Sequence, residues 1–117
     1  MFLGLRTVIY PAPDLQAARA WFTNALDTPP YFDEAFYVGF NVGGYELGLD
    51  PESEESRGAV TYWGVDDIDV ALEHLLGQGA AEHRSVREVG DGIRVATVEL
   101  PADLGLFGII ENPHFEA

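Results

Sequence analysis

Hydrophobic and polar residues follow the same pattern twice along the chain. Residues 7–22 contain a short β-branched and aromatic stretch, a turn, an aspartate and an amphipathic segment, and residues 60–76 repeat this order 53 positions later. Asp14 and Asp67 precede the amphipathic segments, and aspartate there accepts hydrogen bonds from the free amides of a first helical turn. The pattern therefore predicts two helices, near residues 14–26 and 67–77.

After each helix the hydrophobic period changes to two, which is typical of strands. In the first half, the alternating segment from Phe36 to Val42 runs into Gly43-Gly44, and residues 45–49 return, which predicts a hairpin. The second half repeats this arrangement around the turn at residues 90–92. The sequence thus predicts an α+β fold of two tandem β-α-β-β-β modules, whose curved antiparallel sheets enclose a cleft.

The domain division follows from the repeat. We expect a first module at residues 1–50, an acidic linker at residues 51–58 and a second module at residues 59–117, which together make one domain.

Composition and charge narrow the classes of function. The chain has no cysteine, which excludes disulfides and thiolate metal sites. Its net charge of −14 argues against nucleic acid as a partner, because few cations are present to neutralise phosphates. No segment approaches the length of a membrane span, and the N-terminus does not resemble a signal peptide, so we expect no membrane partner and a cytoplasmic location.

Three sequence segments carry a family likeness: residues 65–68 (Val-Asp-Asp-Ile), the turn at residues 90–95 and the segment at residues 100–108. With the paired modules, they resemble the vicinal oxygen chelate superfamily, which includes glyoxalase I, extradiol dioxygenases and the fosfomycin and bleomycin resistance proteins. The third segment matches the Asp-Pro-x-Gly-Asn turn of the superfamily loosely, since Leu106 stands where asparagine is customary. The likeness covers essentially the whole chain and implies the fold rather than one activity.

The resemblance also supplies a test for a metal site. Enzymes of this superfamily hold a divalent metal through His, Glu or Gln at four strand positions, which transfer to Thr7, Glu46, Val60 and Gly108. Among these, Glu46 alone has a good ligand for a divalent ion, and a dimer would draw on the same four positions. We therefore expect no metal and no other cofactor.

The remaining candidates are residues for a cleft that binds a small molecule. Glu46 is the candidate proton acceptor or cation ligand, and Tyr10 and Trp63, equivalent under the repeat, are candidate aromatic walls. The full set of candidate ligand-binding residues is Tyr10, Tyr37, Glu46, Trp63, His83, Arg94 and Phe107. Ordinary core aromatics and an exposed or arginine-paired carboxylate are the alternative interpretation.

Three functions fit this sequence. The first is a metal-free binding protein of the bleomycin-resistance kind, with an acidic aromatic cleft for a small molecule, cationic in one version of the hypothesis. The second is a glyoxalase- or dioxygenase-type enzyme with atypical metal ligands, or with acid–base chemistry at Glu46. The third is an interaction module that binds no ligand. We also expect a homodimer, because pairing would cover open sheet edges.

Overall fold

The computed structural model describes residues 1–53, 58–102 and 104–115. Their helices and strands occur in the predicted order, which confirms an α+β fold with two β-α-β-β-β modules. The elements are β1 (Phe2–Pro11), α1 (Leu15–Leu26), β2 (Phe32–Glu34), β3 (Tyr37–Val42), β4 (Tyr45–Asp50), β5 (Val60–Val65), α2 (Ile68–Gly77), β6 (Ala81–Gly90), β7 (Ile93–Glu99) and β8 (Leu106–Glu111). Residues 54–57 of the predicted linker and Asp103 of the turn before β8 lie outside the described residues.

Both helices begin where the aspartates predict. The Asp14 carboxylate accepts a hydrogen bond from the amide of Ala17 at 3.1 Å. The Asp67 carboxylate accepts from the amides of Asp69 and Val70, at 3.1 and 3.2 Å. Each cap satisfies donors that a first helical turn leaves unpaired, so the helix starts are confirmed in detail.

The contacts divide the described chain into two compact units, residues 7–59 (the first unit) and residues 1–6 with residues 60–115 (the second unit). In the first unit the strand order is β2-β3-β4-β1. The hairpin between β3 and β4 turns at Gly43 and Gly44, whose φ angles of 64° and 92° suit glycine.

The sheet of the first unit is mixed, whereas an antiparallel sheet was predicted. β3 pairs antiparallel with β2 and with β4, but β1 runs parallel to β4. The helix that connects β1 to the later strands allows this parallel pairing, which a hairpin does not. The second unit repeats the arrangement, with the order β5-β8-β7-β6 and a parallel pair between β5 and β8.

The core of each unit lies between its helix and one face of its sheet. In the first unit the buried residues are Ala12, Leu15, Val38, Phe40 and Leu49, with Ala18, Phe22, Leu26 and Leu47 packed against them. In the second they are Val65, Ile68, Ala71, Ala96 and Ile109, with Leu72, Leu75, Val86 and Phe107 packed against them. The predicted helical stripes form most of these contacts, although Ala25 and Leu76 are exposed.

Candidate functional site

The face of the first sheet that points away from α1 carries the candidate site, and we call it the distal face. Side chains alternate between the two faces of a strand. Because Phe40, Leu47 and Leu49 belong to the core beside α1, their neighbours along the strands occupy the distal face. The residues of the distal face that matter here are Thr7, Tyr31, Phe32, Glu34, Tyr37, Gly39, Glu46 and Gly48.

Glu46 is at the centre of this face. The strand register places it opposite Thr7 of β1, and the Thr7 hydroxyl donates a hydrogen bond to Oε1 of Glu46 at 3.3 Å. The hydroxyl of Tyr31 donates to the other carboxylate oxygen, Oε2. Thr7 is 6% exposed and Glu46 is half-buried, so the carboxylate is held in a fixed position rather than moving freely in water.

Two glycines make room for this arrangement. Gly39 and Gly48 face each other across β3 and β4. A Cβ at Gly39 would lie 2.8 Å from Oε2 of Glu46 and 2.9 Å from the ring of Tyr31. A Cβ at Gly48 would overlap the hydroxyl of Tyr37. Neither glycine has a positive φ angle, so both are required by the close approach of side chains rather than by the backbone.

Aromatic rings continue the site toward the edge of the sheet. Phe32 pairs with Gly39, and its ring lies 6.2 Å from that of Tyr37 and 5.9 Å from that of Phe36. Tyr31 and Phe36 remain 61% and 65% exposed, which leaves a solvent-accessible aromatic surface next to the carboxylate.

The site also alters the acidity of its tyrosines. Burial raises the pKa of Tyr37, and the neighbouring Glu46 carboxylate raises it further. Partial desolvation, followed by the hydrogen bond to Glu46, raises the pKa of Tyr31. The charge of Asp50 adds to the shift at Tyr37, so this carboxylate also acts on the distal face. Both hydroxyls therefore stay protonated at neutral pH and serve as donors.

The structure brings Glu46 and Tyr37 together, as expected, but not Tyr10. The Tyr10 ring lies on the α1 side of the sheet, 5.6 Å from the ring of Phe22. The reason is strand alternation: Thr7 occupies the distal face, and a residue three positions later points to the other side. Tyr10 is therefore not an aromatic wall of the Glu46 site.

The same alternation places Trp63 and Phe107 in the second unit, on the side of the sheet that faces α2. Their rings stack at 5.7 Å with an angle of 5° between the planes, and Phe107 packs against the core residues beside α2. The structure therefore places both rings on the helix side of that sheet, and their role in ligand binding stays a prediction.

Arg94 forms ion pairs within the second unit. Its guanidinium binds both carboxylate oxygens of Glu111, at 2.9 and 3.0 Å, and Asp69 of α2 at 3.3 Å. Glu111 in turn accepts the amide hydrogen bond of Ile68, at 2.9 Å. The pKa of Arg94 is raised, first by its hydrogen bond to Glu111. This network fixes the start of α2 to the end of β8.

His83 lies on the face of the second sheet that points away from α2. Its Nδ1 is 2.9 Å from the hydroxyl of Thr97, and Thr97 pairs with Gly108 of β8. Because Phe107 and Ile109, the neighbours of Gly108, face α2, Gly108 and Thr97 lie on the opposite face. Tyr62 covers Gly108 on this face, because a Cβ there would lie 2.6 Å from the Tyr62 ring. In both units a tyrosine therefore lies over a strand glycine, Tyr37 over Gly48 and Tyr62 over Gly108.

Sequence reasoning missed Tyr31, and it considered Thr7 only as a metal ligand. Tyr31 precedes β2, where no periodicity marks its direction. Gly39 and Gly48 are the sequence feature that could have indicated Tyr31. Two glycines on the same sheet face as Glu46 indicate that larger side chains from elsewhere occupy the space above them.

The strand register changes one of the four positions that the resemblance assigns to metal ligands. Ile9 pairs with Gly48 in the first unit, and the equivalent Tyr62 pairs with Gly108 in the second. Gly108 therefore corresponds to Gly48, and the position equivalent to Glu46 is Leu106. Leucine is no more a metal ligand than glycine, so the residues present do not fit the divalent ion of the superfamily. Among the described residues, no three His, Asp or Glu side chains cluster in a way that would hold a metal.

Comparison with solved structures places the fold. A glyoxalase/bleomycin resistance protein/dioxygenase superfamily member from Vibrio splendidus matches with a TM-score of 0.69 and 16% identity, over 92% of this chain and 99% of that chain. The chain has the vicinal oxygen chelate fold. A methylmalonyl-CoA epimerase from Streptomyces coelicolor, in complex with 2-nitronate-propionyl-CoA, has a TM-score of 0.73 and 16% identity over 100% and 99% of the two chains.

The methylmalonyl-CoA epimerase of Mycobacterium tuberculosis shares this vicinal oxygen chelate fold, with a TM-score of 0.68 and 21% identity over 94% of this chain and 88% of that one. No sequence model of a protein family and no curated protein sequence matches the chain. In the part of the chain that the structure describes, no helix combines the length and hydrophobicity needed to cross a membrane.

Proposed function

We propose that this protein binds a small organic cation on the distal face of its first unit, with Glu46 as the charged partner. The observation that carries the proposal is the position of the Glu46 carboxylate, which is held by the hydroxyls of Thr7 and Tyr31 beside exposed aromatic rings. A carboxylate next to aromatic faces attracts a cation by charge and by the ring quadrupoles together.

The charges around the site favour a cation over an anion. From Thr7 to Ala59 the sequence contains nine acidic residues and two arginines. One of these, Arg19, is paired with Asp33 at 2.7 Å. Asp33 pairs with Val38 of the core, on the α1 side, whereas Glu34 pairs with Tyr37 of the distal face. Positive charge of a ligand would therefore meet an acidic surface.

The arrangement of glycines supports a site rather than simple packing. Filling the distal face with larger residues at Gly39 and Gly48 would add buried apolar area, yet the space is used to place Glu46, Tyr31 and Tyr37.

The experiment that tests the proposal is a binding screen with matched charged and neutral probes. Calorimetric titration at low ionic strength would compare small quaternary and tertiary amines with neutral molecules of the same shape, such as choline with 3,3-dimethyl-1-butanol. We expect binding that requires the positive charge and weakens with added salt. Equal binding of the charged and neutral members of each pair would contradict the proposal.

An acid–base enzyme is the second candidate. One observation favours it: Glu46, a proton acceptor when ionised, lies beside tyrosine hydroxyls that remain protonated at neutral pH. Such a pair is able to take a proton from a carbon acid and to donate hydrogen bonds to the oxygen that gains charge. Exchange of substrate protons for solvent deuterium, lost in Glu46→Gln, would support this candidate over binding alone.

We also propose that the protein is a homodimer, because short edge strands such as β2 and exposed apolar residues favour pairing between copies. Sedimentation at micromolar concentration is expected to show about twice the chain mass of 12.8 kDa. A species of single-chain mass throughout the concentration range would contradict this.

A further inference from the structure

One arginine of the second unit has a buried donor that nothing in the described chain satisfies. The terminal nitrogen Nη1 of Arg87 is shielded from solvent and has no hydrogen-bond partner among the described residues. A buried donor on a charged group is costly when it is left unpaired, and such groups in folded proteins normally have an acceptor. The missing acceptor at Arg87 therefore needs an explanation.

The other described arginines differ from Arg87 in this respect. Arg19 and Arg94 bind carboxylates. The guanidinium carbon of Arg6 lies 3.7 Å from the centre of the Phe115 ring. Arg84, on the same strand as Arg87, is exposed to water. Among the described residues no carboxylate pairs with Nη1 of Arg87, although the full sequence has 20 acidic residues.

The β6 strand directs Arg87 to the face that also carries His83. The pairing of β6 with β7 shifts register before and after the segment in which Arg87 pairs with Val95. An earlier shift places Arg84 opposite Thr97, and His83 is the residue before Arg84. Val95 and Thr97 are two residues apart and share a face, and Thr97 contacts His83 at 2.9 Å. Bulges of this kind redirect side chains and are frequent beside binding sites.

We propose that Arg87 is the central donor of an oxyanion-binding site on this face, which takes the carboxylate or phosphate group of a small molecule. A guanidinium is the side chain best suited to such groups, because its planar donors match two oxygens at once. Arg87 as a whole residue is half-buried, and β6 is the edge strand of its sheet, so the guanidinium lies near an edge that an anion is able to approach. His83 and Thr97 supply further polar groups on the same face.

The test is an anion titration of the full chain with a matched pair of variants. Sodium acetate and, separately, sodium phosphate would be added against sodium chloride of equal ionic strength, while the side-chain NMR signals of the arginines and the melting temperature are followed. Arg87→Gln removes the proposed donor, and Arg84→Gln removes an equal charge three residues away on the same strand. Arg87→Lys keeps the charge but loses the two-pronged geometry.

In the wild type we expect saturable movement of the Arg87 signal and a higher melting temperature with at least one of the two anions. The affinity should fall by about tenfold or more in Arg87→Gln, the range expected for a hydrogen bond to a charged group, and by less than about twofold in Arg84→Gln. Comparison of acetate with phosphate shows which oxyanion is preferred.

Two results would overturn the inference. One is an anion effect of equal size in Arg87→Gln and Arg84→Gln, which would show general screening of charge. The other is no response to either anion in the wild type, together with a higher melting temperature for Arg87→Gln, which would show that the unpaired donor is only a cost to stability. Cation binding at Glu46 is measured separately, so either proposal can fail without the other.

Discussion

Gly48 lies directly beneath the hydroxyl of Tyr37, so closely that a Cβ at position 48 would overlap the hydroxyl oxygen. Gly48→Ala must therefore move Tyr37 or the backbone of β4. We expect a loss of stability of about 1–3 kcal/mol, as for other overpacked sites, and weaker ligand binding. Urea unfolding measures the first effect and calorimetric titration the second. Gly77→Ala is the control, since a Cβ there meets nothing within 4 Å; equal behaviour of the two variants would refute the steric account.

The raised pKa values of Tyr31 and Tyr37 predict a loss of stability at alkaline pH. The folded pKa of each lies above the ordinary value of 10.0, so the folded state holds these protons more tightly than the unfolded state. The stabilising contribution is therefore complete below about pH 10 and is lost as the pH rises toward the folded values. Urea unfolding across this range should show a fall that is smaller in Glu46→Gln.

Glu73→Gln serves as the control for this alkaline effect, because Glu73 is an exposed residue of α2. Its stability should fall with pH as steeply as that of the wild type. If Glu46→Gln also falls as steeply, then Glu46 does not raise the pKa of the two tyrosines.

The Arg94–Glu111 pair is expected to act on stability and not on ligand binding. Glu111→Ala leaves the buried amide of Ile68 without its acceptor and removes the carboxylate that links Arg94 and the start of α2 to the end of β8. A buried donor left unpaired costs about 1–3 kcal/mol, which thermal or urea unfolding would detect. Cation affinity should stay within twofold or so, since the network lies in the second unit. A large change in affinity would restore Arg94 to the candidate binding residues.

Much of the fold could be predicted from the sequence because it depends on local signals. Asp14 and Asp67 mark the helix starts, and Gly43-Gly44 marks the hairpin turn, so each element was found close to its observed bounds. The parallel pairing of β1 with β4 was missed, because it depends on contacts between residues 39 positions apart.

The site was only partly predictable. The shared face of Glu46 and Tyr37 could be predicted, because it follows from the two-residue period of a regular hairpin, and their part in ligand binding stays a prediction. The helix-side positions of Tyr10 and Trp63 were not predicted, because equivalence under the repeat shows that both side chains point to the same side of their sheets but does not show which side. Counting three positions on from Thr7 would have placed Tyr10 on the helix side. Tyr31 was missed because it lies in a loop, where no period applies.

The absence of a bound divalent metal remains a prediction, and it is testable by elemental analysis. Thr7, Glu46, Val60 and Leu106 occupy the positions that the superfamily uses, and a single carboxylate does not hold such an ion. Protein purified without chelators should contain far less than one zinc, nickel, manganese or iron per chain. Near-stoichiometric metal, with loss of binding or activity on its removal, would favour the enzyme with atypical ligands.

The most direct test of the central claim is the preference for a charged probe over its neutral counterpart, measured in the wild type and in Glu46→Gln. The variant keeps one side-chain oxygen, which accepts the hydrogen bond of one hydroxyl, while its amide nitrogen donates to the oxygen of the other hydroxyl, so its stability should change by only about 1 kcal/mol. The account predicts that the wild type prefers choline to 3,3-dimethyl-1-butanol and that Glu46→Gln removes about 2–5 kcal/mol of choline binding while leaving the neutral probe unaffected. An unchanged preference in Glu46→Gln would contradict a cation site at Glu46.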